Sequence, residues 1–559
     1  MKRVFLMVLA ATGLFAQTAP VVDRTVDEKA LSSISGQIQN STNNEPVRKA
    51  KVTLAPGDMN KASLTATTDN DGKFAMERIE PGRYTLKAER QGFVNQNYGA
   101  AVPSRPGSTL DVKAGKEMPA LNFKMTPQGI IAGRVLDDEN ETMSGLSVTA
   151  MRSAYMFGKK RILPAGAPVQ TNDLGEYRIP NLEPGKYVIS STAQKLMQIE
   201  TGTEKASGKG FEEGFVPTYF PNVAESTAAS SVEVAPGAEV RGIDIHLKKT
   251  RVVRVSGKLL NAQGEAVKSG VLMVYRREGG TMSVMPSSMY VVQGDKGTYE
   301  LRNIAPGQYT LMAMSTADVQ NMKITTANIE VADRPMTDRV ITLGGGYDVP
   351  VTATYLNKSA SDPKKNEKDD IGNVRVLLQQ DENPMASLAT IVLDKDLKGT
   401  MKTVNPDKYR FTAVGVPPGA YLKSATLGAQ DVLANGLDIR NGVTGTVEVV
   451  IASPGAEVGG YVRNEKNEPI PGATVTLVPK MPNPHRGDLA KTVTADQNGM
   501  YRVGGIVPGV YNIYGWEEVE SGAAEDPEFL KPYGKFKKEV SLEEGAKNTT
   551  DLLVILKAS

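Results

Sequence analysis

The feature that most constrains this chain is a Pro-Gly-x-Tyr element written five times. It reads "RIEPGRYTLKA" at 78–88, "NLEPGKYVIS" at 181–190, "NIAPGQYTLMA" at 303–313, "GVPPGAYLKSA" at 415–425 and "GIVPGVYNIYG" at 505–515. The prolines Pro81, Pro184, Pro306, Pro418 and Pro508 stand 103, 122, 112 and 90 residues apart. That interval is one domain length, too long for a solenoid repeat. Proline presets φ for the first central residue of a tight turn, and glycine accepts the positive φ expected at the second. Gly82, Gly185, Gly307, Gly419 and Gly509 are therefore read as turn residues. Tyr84, Tyr187, Tyr309, Tyr421 and Tyr511 are read as the first core residues of the following strand, each with its hydroxyl on a backbone partner at the rim. Alternation supports this, since Tyr84, Leu86 and Ala88 fall on one face and Thr85 and Lys87 on the other.

Each unit carries further landmarks in a fixed order. Four open with a short strand holding small residues: "SISGQIQ" (33–39), "IIAGRVLD" (130–137), "VRVSGKLLN" (253–261) and "EVGGYVRN" (457–464). A Gly-centred turn feeding an aromatic follows: "DNDGKFAM" (69–76), "NDLGEYRI" (172–179), "GDKGTYEL" (294–301) and "DQNGMYRV" (496–503). A closing strand ends each unit. Short alternating strands broken by Gly, Pro, Asn and Asp predict an all-β chain of five tandem Ig-like, prealbumin-like antiparallel sandwiches, strung as beads with almost no linker. The expected units are 20–126, 127–250, 251–345, 346–452 and 453–559. The fourth is divergent: it lacks the Ser-Gly opening and the Asp-x-x-Gly turn, and it inserts "NKSASDPKKNEKDDIGN" at 357–373.

The order Ser-Gly-x-[Val/Ile], Asp-x-x-Gly-x-[Phe/Tyr], [Ile/Leu]-x-Pro-Gly-x-Tyr resembles the carboxypeptidase regulatory-like domain, related to collagen-adhesin B-type (CnaB-like) and carbohydrate-binding-like modules. The resemblance spans nearly all of 33–559 and implies extracellular or periplasmic accessory domains, found beside peptidases, in adhesins and at the start of outer-membrane receptors. No peptidase or barrel sequence accompanies them in these 559 residues.

Export is expected from the first residues. Lys2 and Arg3 precede the 13-residue apolar run Val4 to Ala16, too short to cross a bilayer, which reads as a secretory signal peptide within 1–19. Cleavage after Ala16 or after Ala19 both remain open. A periplasmic, cell-surface or secreted protein is expected, with no membrane span once the leader is removed. The formal charge is 65 − 63 = +2, and without Lys2 and Arg3 it is 63 − 63 = 0, which offers nucleic acid no electrostatic footprint. There is no cysteine, so burial alone must stabilise the units.

Residues suited to catalysis are sparse. The two histidines, His246 and His485, lie in different units, and no zinc-peptidase, nucleophile-elbow or phosphate-loop motif is present. No enzyme activity, metal or cofactor is expected. "DNDG" at 69–72 fits a hairpin turn better than a calcium loop, whose twelfth place would fall on Arg78. Lys258 alone sits where a Lys–Asn crosslink would need a desolvated amine. Aromatic patches are the candidate ligand surface: Tyr98, Tyr219, Phe220, Tyr533, and Tyr514 beside the sole tryptophan, Trp516. Flat aromatic faces suit sugars, whereas the competing reading has them covering a sheet edge or sealing joints between units. The expected role is a monomeric, non-enzymatic structural, adhesion or protein-interaction scaffold, its partner a protein or polysaccharide of the cell envelope. Carbohydrate binding through the aromatic patches is the first alternative. Service to a peptidase or outer-membrane receptor system is the second.

Overall fold

The computed structural model describes residues 30–58, 61–100, 102–103, 105–156, 158–192, 212–278, 281–283, 287–316, 324–344, 346–357, 374–380 and 388–556. The leader and nearly all of the 357–373 insertion lie outside the described residues.

In the first unit, the opening strand Ser32–Asn40 alternates buried and partly exposed residues along its length. It pairs with the fourth strand, Lys73–Ile79, antiparallel and with the closing strand, Phe123–Met125, parallel. The second sheet joins Leu64–Thr67, Lys51–Pro56, Gly82–Glu89 and Leu110–Val112. Phe74, Met76, Tyr84, Leu86 and Ala88 meet between the sheets, as their alternation predicts. The third unit repeats this order, with Thr298–Ile304, Lys249–Asn261 and Met336–Leu343 in one sheet and Ser288–Gln293, Ser269–Glu278, Gly307–Ser315 and Ile324–Val331 in the other. Each of the five units has its own buried core. In all five the closing strand runs parallel to the opening one.

The corner differs in detail from the expected turn. The residue in the left-handed region lies three places before the proline: Arg78, Asn181, Asn303 and Gly505, with φ between 57° and 62°. A bulge at that point turns the fourth strand out of its sheet. Gly82, Gly185, Gly307 and Gly509 then open the fifth strand at positive φ of 152° to 159°, a conformation that favours glycine.

In the fourth unit the corner is elsewhere. The fourth strand, Lys398–Val404, is followed at once by the fifth, Lys408–Val414, through Asn405-Pro406-Asp407. Thr403 has φ of 50°, and the Tyr409 hydroxyl donates to the Asn405 carbonyl at 2.8 Å. Tyr84, Tyr187, Tyr309 and Tyr511 make the same bond to the carbonyl four residues back, at 2.5–2.9 Å. Pro418, Gly419 and Tyr421 therefore do not form this unit's corner. They lead into an extra strand, Tyr421–Leu427, paired with the closing strand Val447–Ser453.

The other landmarks missing from the fourth unit are present in altered chemistry. Elsewhere the opening strand carries a glycine where the closing strand's backbone crosses it. A Cβ on Gly257 would lie 1.7 Å from the Arg339 carbonyl oxygen, and one on Gly36 would lie 2.1 Å from that of Leu121. These glycines face Tyr299 and Phe74 across the sheet. The fourth unit exchanges the sizes: Val351 stands on the opening strand and Gly399 opposite it. Its turn also survives, with Asp394 Oδ1 accepting from the Asp396 and Lys398 amides and Leu397 in the left-handed position. Asp69, Asn172 and Asp496 accept in the same pattern in their own units.

Candidate functional site

The connection between the fifth strand and the sixth (Leu110–Val112 in the first unit, Val232–Val234 in the second, Lys538–Leu542 in the fifth) carries the variation among units and the aromatic patches. In the fifth unit the fifth strand is Gly509–Trp516. Tyr511 and Ile513 point into the sandwich core, so alternation sends Tyr514 and Trp516 to the outer face. The connection 517–537 folds back over that face. It contains a short helix, Pro527–Leu530, whose first turn is capped by the Asp526 carboxylate accepting from the Glu528 amide at 2.9 Å.

The rings beneath this cap form one cluster. Tyr514 stacks on Trp516 with centroids 5.6 Å apart, and Tyr533 meets Trp516 edge-on at 4.9 Å. Phe529 lies 5.8 Å from Trp516, and Val478, Ala524 and Ile555 fill the remaining space. The indole Nε1 donates to Thr476 Oγ1 at 2.8 Å. Trp516 is 2% exposed and Tyr514 3%. The expectation that they offer a flat face to a sugar is therefore corrected: the two rings are covered by their own chain. Tyr533, half-buried, is part of the cover.

The other candidates do not join them. Tyr98 is half-buried, its ring edge-on to Phe123 at 5.8 Å against the first unit's core. Tyr219 ends the two-residue strand Thr218–Tyr219, which pairs with Ser190 and Ser191, and Phe220 packs on the second unit's core. The six candidates thus fall in three places, of which only the fifth unit assembles a cluster.

The groups weighed for chemistry are also dispersed. His246 donates its backbone amide to Asn222 Oδ1 at 2.8 Å, while His485 packs against Gly436 of the fourth unit. Lys258 is exposed, so its amine keeps its water and lacks the desolvation that crosslinking needs. Among the described residues no group of three His, Asp or Glu side chains is placed to hold a metal ion. Beside Pro81 and Tyr84 an open depression of about 420 Å³ is bordered by Arg83 and by Lys61, whose ammonium is paired with Glu80 at 2.5 Å and held above its ordinary pKa by that bond.

The largest shifts fall on core tyrosines. Burial pushes the Tyr511 phenol up to about 12, with Arg486 opposing. Tyr299, whose hydroxyl donates to the Arg339 carbonyl at 3.1 Å, is likewise pushed up by burial to about 12, Arg339 opposing. Tyr177 and Tyr501, bonded to Ile243 and Thr550 carbonyls, are also raised by burial. A raised phenol that is already donating to a backbone carbonyl serves packing.

Successive units are tied by backbone and ion pairs. Between the first and second, the Gln128 amide donates to the Gly92 carbonyl at 2.9 Å and Phe93 bridges Pro127. Glu212–Phe215, a strand from the second unit's long connection, pairs with Lys249–Val252 of the third. Arg254 clamps that strand through Glu212 at 2.5 Å and reaches Glu300 at 3.4 Å. Asn405 of the fourth unit donates to the Ile324 carbonyl of the third. Asn483 of the fifth donates to the Ala434 carbonyl of the fourth at 3.0 Å.

Strand order and cores define the class: a tandem array of prealbumin-like β-sandwiches. Its first unit matches the model of the carboxypeptidase regulatory-like domain over residues 33–126. No curated protein matches the sequence. Among solved structures, a streptococcal ancillary pilin aligns at 13% identity over 56% of this chain and 98% of its own, with a TM-score of 0.16. The minor pilin of Streptococcus agalactiae aligns at 13% over 39% of this chain and 96% of its own, with a TM-score of 0.20. Two B repeat units of the Staphylococcus aureus collagen-binding protein align at 11% over 76% and 99%, with a TM-score of 0.13. These superpositions are loose, and the fold assignment stands on the sheets themselves.

Proposed function

We propose that this protein is an exported, non-catalytic scaffold whose five sandwiches present surfaces for adhesion or protein interaction at the cell envelope. The observation that carries the reading is how the aromatic residues are used. Trp516, Tyr514 and Tyr533 pack among themselves, and Tyr98 and Phe220 close the cores of their own units. Strand-to-strand ties between units add to this, since they suit a molecule that holds surfaces at fixed spacing. The apolar leader supports export, and the family of the first unit supports an accessory role.

The test is retention of the purified chain on insoluble polysaccharides and on immobilised envelope proteins, beside Tyr219→Ala. Retention by protein alone, unchanged in the variant, is the expected result. Retention on glycan that disappears in Tyr219→Ala would replace the scaffold reading with carbohydrate binding. Cell fractionation with mass measurement of the mature N-terminus checks export.

A further inference from the structure

The second unit carries an arm that its siblings do not share in this form. Its second strand, Ser147–Met156, continues into the return strand Lys159–Pro164, paired residue by residue from Met151–Pro164 to Met156–Lys159. The arm ends on the fifth unit, more than three hundred residues away in sequence. The Tyr155 ring meets Phe529 edge-on at 5.9 Å, and Phe529 in turn lies against Trp516 and Tyr533. Gly158, at the arm's tip, is so close that a Cβ there would lie 2.9 Å from the Glu525 carbonyl oxygen. Gly522 of the cap packs on Tyr155 in the same way.

Two further contacts out of chain order point the same way. A Cβ on Gly472 in the fifth unit would overlap the Gly99 carbonyl oxygen of the first, at 1.7 Å. Arg161 on the arm lies near enough to Arg410 of the fourth unit for the two like charges to repel, which places the arm beside that unit without holding it there.

We propose that the fifth unit is a keystone: its aromatic cap is a docking surface for the arm of the second unit, and this clasp holds the five sandwiches together as one compact body in solution. The chemistry of the contact is suited to that role. It is aromatic at its centre, with Phe529 bridging Tyr155 to a ring cluster already buried, and glycine at Gly158 and Gly522 lets the two backbones approach. Its rim is acidic, with Glu520 and Asp526 facing Tyr155.

The absence of native cysteine permits a direct test on the full chain. A Cβ at 158 would lie 3.4 Å from that of Glu525, close to the separation a disulfide spans. With oxidised glutathione as the two-electron acceptor, Gly158→Cys with Glu525→Cys should therefore form an intramolecular disulfide at any dilution, taking the free-thiol count from two to none. Tyr155→Glu sets a carboxylate against Glu520 and Asp526 and should release the arm. It should raise the radius of gyration in small-angle scattering while the melting transitions of the units persist. The cysteine at 158 strains a turn at φ of 67°, a defect the Tyr155→Glu variant does not share. Two freely titrating thiols, or a wild-type scattering profile that already fits an extended array and is unchanged by Tyr155→Glu, overturn the proposal.

Discussion

The tyrosine after each corner is buried to its ring, yet its hydroxyl remains bonded to the carbonyl four residues earlier, so a phenylalanine there orphans a buried acceptor. Tyr409→Phe should cost about 1 kcal/mol, read as reduced hydrogen-exchange protection along Lys408–Val414. At the strand crossings size is the constraint. Gly257→Ala drives a methyl into the Arg339 carbonyl and should destabilise the third unit by about 1–3 kcal/mol. Gly487→Ala, where nothing lies within 4 Å, should stay within about 0.5 kcal/mol on the same denaturant titration. The raised phenols set a pH limit. Their neutral form is favoured by the fold, so the stability they contribute is complete below about 10, the ordinary tyrosine value, and is lost as pH rises towards about 12. Alkaline titration followed by tyrosinate absorbance and circular dichroism should show ionisation delayed past 10 and coupled to unfolding. Ionisation at the ordinary value with the fold intact would contradict the assigned burial.

At the scale of the element, the connection between fifth and sixth strands is where each unit acquires its character. It supplies the extra strand Tyr421–Leu427 in the fourth unit, the donated strand Glu212–Phe215 in the second and the cap of the fifth. Trp516 is the only tryptophan, so its emission reports the cap directly. The native spectrum should be that of a buried indole, and Tyr533→Ala, which removes the ring 4.9 Å from it, should shift emission to the red. Trp516→Ala should cost about 3–5 kcal/mol, with the loss of protection concentrated in 519–536. The fourth unit shows how much of an element is legible. "TVNPDKY" at 403–409 contains the proline and the tyrosine but no glycine, and a closer match lies 12 residues further on. Only strand pairing distinguishes them, because both begin a strand with a buried tyrosine. The exchange of Val351 and Gly399 hides in the same way, since it conserves volume across two strands and not along one.

At the scale of the molecule, joints between units are short and made of hydrogen bonds to backbone, with an ion pair added between the second and third. Arg254→Ala should free the strand Glu212–Phe215, seen as faster exchange at its amides, while Thr298–Ile304 in the third unit's sheet stays protected. Equal loss at both would mean that Arg254 holds the sandwich itself and not the joint.

The sequence by itself determined the number of sandwiches and the buried face of the recurring strands, because turn chemistry and a two-residue period act between near neighbours. Tertiary structure decided which proline-tyrosine pair is the fourth corner, why the tryptophan is hidden, and which units touch out of order. Those outcomes depend on what comes to cover an outward face, and the covering chain is brought there from far along the sequence.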